Sequence, residues 1–175
     1  MYLSKVKPTG VERRLDPDDV ILSKTDLRGV ITDSNQAFID YAGYSREELY
    51  GSPHSLIRHP EMPRAVFKLL WRELLAGREL FVFVKNLAKD GRHYWVIAQV
   101  LPELTEGVVT GYISFRRCPG RRAVETIDAL YRKMLAVEVG IPGDAGMDAS
   151  YRLLVDTLKE MGKGYDEMVY EPPAA

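Results

Sequence analysis

Three segments of alternating apolar residues dominate the middle of this 175-residue chain. They cover residues 79–87, 92–102 and 109–117. Asp90-Gly91 separates the first two segments, and Glu106-Gly107 precedes the third. Alternation with a period of two residues is typical of half-buried strands, and short turns that contain glycine join such strands in antiparallel order. The sequence therefore predicts three consecutive antiparallel strands.

A hairpin and several helices are predicted before these strands. Residues 20–23 and 30–32 have strand composition, and the turn between them contains Gly29, which can adopt a positive φ. A capping box over residues 45–48 indicates a short helix, and a longer helix is expected over residues 63–77. This order of strands and helices predicts an α+β domain with an antiparallel sheet and helices on one face.

The longer helix carries an apolar face. Pro63 suits its first position and Gly77 its end. Apolar residues recur between them at helical spacing, so we expect them to pack into the core. These residues are Val66, Phe67, Leu70, Trp71 and Leu74.

Two further helices are predicted beyond residue 120. They cover 122–138 and 147–161 on either side of a Gly/Pro-rich linker, with Asp148 as a cap and Gly162 as the end of the second. Their apolar stripes predict that they pack on the sheet or pair between subunits. The predicted divisions of the chain are a leader over 1–14, a main domain over 15–120 and a helical extension over 121–175.

Composition narrows the class of protein. The formal net charge of −1 argues against nucleic acid or an anionic membrane surface as the main partner. Basic pairs such as Arg116-Arg117 are expected to be solvated. The single cysteine, Cys118, excludes an intramolecular disulfide, and no apolar run approaches the roughly 18 residues that a membrane span needs. We expect a cytoplasmic protein.

The usual catalytic arrangements are not evident in the sequence. Cys118 has no histidine near it in the chain, and the three histidines lack the spacing of a zinc site. Glycine-rich phosphate loops and a nucleophile elbow are also missing. We therefore predict that the chain is not an enzyme and that it holds no metal.

A stiff polar loop and one strand amide indicate a small-molecule site. The loop over residues 58–63 holds an arginine, a histidine and a glutamate, and its two prolines make it stiff. Asn86 shares a strand face with the aliphatic residues Leu80, Val82 and Val84, so a buried amide there needs a hydrogen-bond partner. The alternatives are a loop that faces water and an exposed strand end.

The most particular stretches of the chain together resemble one family. They are Arg58-His59-Pro60-Glu61-Met62-Pro63, Val84-Lys85-Asn86 and Tyr94-Trp95. With them, the chain from about residue 15 to 138 resembles the PAS sensory domain of the bacterial aerotaxis-receptor family. The resemblance implies a five-stranded antiparallel PAS sheet that encloses a cavity. It also implies non-covalent FAD, a report of redox state or oxygen to a chemotaxis-related signalling partner, and a homodimer.

The resemblance also implies which residues hold the cofactor. Arg58 would contact phosphate or carbonyl oxygens, Asn86 the flavin edge, and Trp95 would supply stacking area. Glu61 stands where the family usually has aspartate. The candidate cofactor-binding residues are Asn35, Arg58, His59, Glu61, Leu80, Val82, Asn86 and Trp95.

The sequence differs from the family at two positions, and these differences leave other ligands as alternatives. Leu80 and Val82 stand where the family commonly has tryptophan and glycine, which removes a stacking ring and adds bulk. One alternative is a PAS module that binds haem, with His59 or His54 as axial ligand, or another small ligand. The other is a ligand-free dimerisation module whose cavity is filled by side chains.

Overall fold

A five-stranded antiparallel sheet forms the centre of the computed structural model, which describes residues 6–160. The strands are β1 (Ile21–Asp26), β2 (Ile31–Ser34), β3 (Leu80–Leu87), β4 (His93–Thr105) and β5 (Val108–Arg117). Their order across the sheet is β2-β1-β5-β4-β3, and every neighbouring pair is antiparallel. The predicted fold class is thereby confirmed.

The turns follow the predicted chemistry. Gly29 has φ +77° in the β1–β2 hairpin, and Gly91 has φ +85° between β3 and β4. Glu106 and Gly107 both have positive φ, 52° and 81°, which matches the twist of the strands that they join. Long strands joined by tight turns place β3, β4 and β5 side by side.

Helices cover both faces of the sheet. One face carries α1 (Gln36–Ala42), α2 (Arg46–Leu49), a 3₁₀ turn (His54–Ile57) and α3 (Arg64–Leu75). The C-terminal helices are α4 (Arg121–Gly140) and α5 (Gly143–Glu160). The capping box at Ser45 and Glu48 is present at the start of α2.

Helix α4 packs on the opposite face of the sheet. The Tyr131 hydroxyl donates to the backbone oxygen of Phe83 at 2.9 Å, and the rings of Tyr131 and Trp95 lie 6.2 Å apart. Ile127, Tyr131 and Met134 are all buried there. Of the two arrangements predicted for this helix, the structure has the one in which it packs on the sheet.

Two predicted helix ends differ from the structure. Pro63 is the residue before α3 rather than its first residue. Helix α5 already begins at Gly143, so Asp148 lies inside it and does not cap it. The chain can turn early because Gly143 has φ +73° and because Gly146 lets its helical turn approach the Ile141 carbonyl, where a Cβ would lie 1.9 Å from the oxygen. The predicted end at Gly162 lies outside the described residues.

Candidate functional site

A cavity of about 630 Å³ lies between the sheet and α3, and we call it the main cavity. This volume falls within the range of small-molecule sites, roughly 300–1,000 Å³. The sheet contributes Val82, Val84, Ala98 and Val100 as an apolar floor. Asn86 and Tyr112 lie at opposite ends of this floor, because they occupy distant register positions in the sheet. The main cavity is therefore a long apolar slot.

Helix α3 forms the second apolar wall of the main cavity. The residues that it contributes are Phe67, Leu70, Trp71 and Leu74. The edge of the Trp71 ring meets the Tyr112 ring with a centroid distance of 5.4 Å. The sequence predicted core packing for this face, which is right for Val66. It also holds for Leu74, which is buried, and for Phe67 and Leu70, which pack partly buried against the core. These residues and Trp71 line the main cavity as well.

Arg116 forms a polar centre in the floor of the main cavity. Its side chain is 3% exposed and donates from Nη2 to Ser23 Oγ at 2.8 Å and to His54 Nε2 at 2.6 Å. A guanidinium only donates, so His54 must accept at Nε2 and is neutral. Burial, reinforced by Arg116, lowers the pKa of His54 to about 3, and burial lowers the pKa of Arg116 to about 10.

No carboxylate in the described part of the chain balances the charge of Arg116. Among residues 6–160 no carboxylate lies within ion-pair distance of it, and its Nη1 has no hydrogen-bond partner there. The neighbouring Ser114 Oγ is buried and likewise has no partner in the described chain. The prediction that Arg116 is solvated is wrong, because alternation along β5 turns it inward and Arg117 outward.

Asn86 and Arg58 form a second polar group in the same cavity. Asn86 is 2% exposed, which rules out the exposed strand end, and its Nδ2 has no hydrogen-bond partner in the described part of the chain. The backbones of Arg58 and Asn86 form an isolated bridge. Arg58 Nη2 donates to the Met62 carbonyl at 2.9 Å, and its guanidinium lies 4.0 Å from the Phe67 ring centre. Burial lowers the pKa of Arg58 to about 10.

His59, Glu61 and Trp95 lie on the other face of the sheet. With Lys85 and His93 they line a polar cleft under α4, which we call the outer pocket. Lys85 Nζ donates to Glu61 at 2.5 Å, and this contact lowers the pKa of the Glu61 carboxyl. Burial, reinforced by Lys85, lowers the pKa of His59 to about 4. The loop over residues 58–63 therefore sends one side chain into the main cavity and two into the outer pocket.

The remaining candidates, Asn35 and Leu80, line neither the main cavity nor the outer pocket. Asn35 caps α1, since its Oδ1 accepts from Phe38 N at 3.1 Å and from Leu22 N at 3.0 Å. Leu80 is buried in the core beside the main cavity. Of the eight candidates, the structure brings together Arg58, Val82 and Asn86 in the main cavity.

Sequence reasoning missed several residues of the main cavity. Arg116 and Ser114 were detectable from alternation on the last strand, which places them on one face with Tyr112. Trp71 was assigned to the core. His54 was considered only as a haem ligand, because its contact with Arg116 joins residues 62 positions apart.

Residues 6–160 carry neither a metal-ion cluster nor a helix that could span a membrane. No cluster of three or more histidine, cysteine, aspartate or glutamate side chains suited to a metal ion occurs there. Within the same range, none of the helices combines the length and apolar character needed to cross a membrane. The cytoplasmic location stays a prediction.

Comparison with known proteins gives consistent matches. Residues 31–116 match the family described as PAS fold. The aerotaxis receptor of Escherichia coli (strain K12) is 38% identical over 122 residues, which is 70% of this chain and 24% of the receptor. A nitrogen fixation regulatory protein of Klebsiella pneumoniae is 31% identical over 99 residues, 56% of this chain and 20% of that protein. The chain thus spans a quarter or less of these relatives.

One solved structure illustrates the shared fold. A light-oxygen-voltage domain superposes with a TM-score of 0.55 at 20% identity, covering 62% of this chain and 82% of that one. At this level of identity the likeness concerns the fold alone.

Proposed function

We propose, from the match of residues 31–116 to the PAS fold and from the similarity to the aerotaxis receptor, that the chain is a PAS sensor that binds a flavin, with FAD as the first candidate. It would signal redox or oxygen status through protein–protein interaction. The observation that carries the proposal is a set of three buried polar atoms on residues that line the main cavity. They are Asn86 Nδ2, Ser114 Oγ and Arg116 Nη1. Buried polar atoms without partners are costly, so a ligand with matching polar atoms would stabilise the site.

A flavin suits the chemistry of the main cavity. Its ring system is flat and has one apolar end and one edge rich in carbonyl oxygens and nitrogens. The apolar floor and α3 would enclose the ring, with Phe67 and Trp71 as the aromatic neighbours. Asn86 and Arg116 would donate to the polar edge. When bound, the flavin would supply the redox chemistry, and the protein residues would bind and orient it.

The haem alternative gains no support from the histidines. His59 lies in the outer pocket, on the other face of the sheet from the main cavity. His54 Nε2 already accepts from Arg116, and the ring is held in place by Ser23 at 3.1 Å. A ligand-free module is disfavoured by the three buried polar atoms described above. Absence of enzymatic activity stays a prediction.

The visible spectrum of the purified protein tests the flavin proposal. We expect the two flavin bands after expression with ample riboflavin and purification with added FAD. Titration with FAD, FMN and riboflavin would then identify the form that binds best. A haem Soret band, or no chromophore after FAD supplementation, would overturn the proposal.

The output route is proposed to begin at α4. Tyr131 connects this helix to β3, the strand that also carries Asn86. A change at Asn86 can therefore reach α4 through one strand. Homodimerisation and a chemotaxis-related partner are part of this proposal.

Light scattering tests the homodimer by measuring the molar mass of the full chain and of the chain without residues 121–175. We expect the mass of a dimer for the full chain, and the mass of a monomer would contradict the dimer.

A further inference from the structure

Helix α5 borders the main cavity although it lies outside the residues that match the PAS fold. Asp144 and Met147, both in its first two turns, are among the cavity-lining residues. Met147 is partly buried against the core, and Leu154 and Leu158 continue the buried face of the helix. The C-terminal extension therefore makes a further side of the cavity.

Three polar contacts hold α5 to α3. Arg64 Nη2 donates to the Gly143 carbonyl at 2.8 Å. Lys68 pairs with Asp148, and Arg72 donates to the Tyr151 hydroxyl. The three α3 residues are spaced four apart and so form one stripe along that helix. We call these contacts the α3–α5 clamp.

The clamp lies next to the cavity wall on the same helix. Phe67 and Trp71 lie three positions after the clamp residues Arg64 and Lys68 and line the main cavity. One helix therefore carries both the cavity wall and the contacts to α5. The Lys68–Asp148 pair is close to half exposed, with side-chain exposures of 44% and 52%. Exposed ion pairs are weak, so this clamp can open without unfolding the core.

We propose that α5 is a movable wall of the binding site: Asp144 and Met147 contact the bound ligand, and the α3–α5 clamp controls how fast a molecule enters and leaves. The proposal does not depend on the ligand being a flavin. It follows from the position of the first turns of α5 at the cavity and from the exposure of the polar contacts that join them to α3, while Leu154 and Leu158 keep the rest of the helix packed on the core.

Labelling of a thiol placed inside the cavity tests this gate without any ligand. Ala98 lines the floor and is 2% exposed, so Ala98→Cys in a Cys118→Ser background reports access by fluorescein maleimide. Adding Asp148→Ala and Tyr151→Phe removes two clamp contacts. We expect labelling to become about five-fold faster, the change that the loss of two exposed polar contacts would produce in an opening equilibrium.

Matched controls keep the test specific. Lys89→Ala breaks the Lys89–Glu48 pair, whose exposures of 49% and 43% resemble those of Lys68–Asp148, far from α5. It should leave the labelling rate unchanged, although the loss of this exposed pair lowers its unfolding midpoint about as much as the loss of one clamp contact does. Should Ala98→Cys fail to fold, Val100→Cys reports from the same floor. Equal labelling rates with and without the clamp contacts would overturn the gate.

A second arm separates this inference from the proposed function. FAD should protect the introduced thiol if a flavin occupies the main cavity. Faster labelling in the clamp variants without protection by FAD would support the gate and contradict the flavin. Protection by FAD with no effect of the clamp variants would support the flavin and contradict the gate.

Discussion

At the scale of single residues, Arg116 is the clearest mark of function. A buried guanidinium without a carboxylate partner lowers the stability of a ligand-free protein, because desolvation is not compensated. Arg117, its neighbour on β5, is exposed on the opposite face. The two residues therefore form a natural pair of test and control.

Arg116→Gln should affect binding and stability differently. We expect FAD affinity to fall by about ten-fold or more, since a hydrogen bond to a charged group contributes roughly 1.5–3 kcal/mol. Stability of the ligand-free protein should stay the same or rise, because a buried charge is removed. Fluorescence titration and urea unfolding of Arg116→Gln and Arg117→Gln measure both quantities. Equal affinities in the two variants would contradict the assignment of Arg116 to the site.

Alternation along one strand predicted some site residues and not others. Asn86 could be placed among aliphatic neighbours by counting residues, and the structure buries it at the main cavity. Arg58, His59 and Glu61 could not be sorted in the same way, because they follow one another in a loop with no fixed period. The loop passes the end of β3, and its backbone bonds to Lys85, so neighbouring side chains reach opposite faces.

At the scale of helices and strands, the start of α3 depends on a residue far away in sequence. Pro63 precedes the helix and offers no side-chain cap. The Glu138 carboxylate of α4 takes this role, accepting from Arg64 N at 2.9 Å and Ala65 N at 3.0 Å. The Glu138 side chain is only 6% exposed and also pairs with the Arg64 guanidinium. This contact joins α4 to the helix that lines the main cavity.

Glu138→Ala should destabilise the protein by about 1–2 kcal/mol, the usual cost of losing a helix cap. The first turn of α3 should also exchange its amide hydrogens faster. Urea unfolding and hydrogen exchange measure these effects, and Glu125→Ala on the exposed side of α4 is the control. Unchanged exchange at residues 64–66 would show that the carboxylate is not the cap.

The strands and turns were predictable from sequence because their signals are local. The cap from Glu138 was not, because its partners are more than 70 positions away in the chain. The early start of α5 was missed for a similar reason. It depends on how closely the Gly146 turn approaches Ile141, a fact of packing rather than of helix propensity.

Val82 carries a prediction about the shape of the cavity. It lines the floor, whereas Leu80 on the same strand face is buried beside it. Val82→Ala should therefore enlarge the main cavity and change the relative affinities of FAD, FMN and riboflavin. Leu80→Ala should lower stability by about 2–5 kcal/mol, as for other buried leucines, and should alter this ligand preference less. Binding titrations on the folded variants distinguish the two, and an identical shift in preference would contradict the difference in placement.

At the scale of the whole molecule, the sheet separates two sites of opposite character. The main cavity is mostly apolar and contains an unbalanced cation, whereas the outer pocket has ion pairs such as Lys85–Glu61. Histidines lie at both sites, with His54 at the first and His59 and His93 at the second. All three have a lowered pKa, chiefly through burial. The fold as a whole therefore favours neutral imidazoles.

This predicts a loss of stability in mild acid. The pKa of His54 is lowered to about 3 and that of His59 to about 4, whereas both titrate near 6.5 in an unfolded chain. Above pH 6.5 neither state binds these protons, so the contribution to stability is constant. Below it the unfolded chain binds protons that the folded protein excludes. Stability should then fall by up to about 1.4 kcal/mol per pH unit for each histidine.

The window between about pH 6.5 and 4.5 isolates the histidines, because carboxylates with a lowered pKa, such as Glu61, lose their contribution only further into acid. Urea unfolding of the wild type across this window should show a steep decline in the free energy of unfolding. His59→Gln keeps an acceptor for the Glu61 backbone N–H, which bonds to His59 Nδ1 at 3.2 Å, but cannot take up a proton. The free energy of unfolding of this variant should fall less steeply with pH, by up to about 1.4 kcal/mol per pH unit, because one proton fewer is taken up on unfolding. A free energy of unfolding that stays constant down to about pH 4.5 would mean that His54 and His59 are protonated in the folded protein. This result would contradict the neutral His54 that accepts from Arg116.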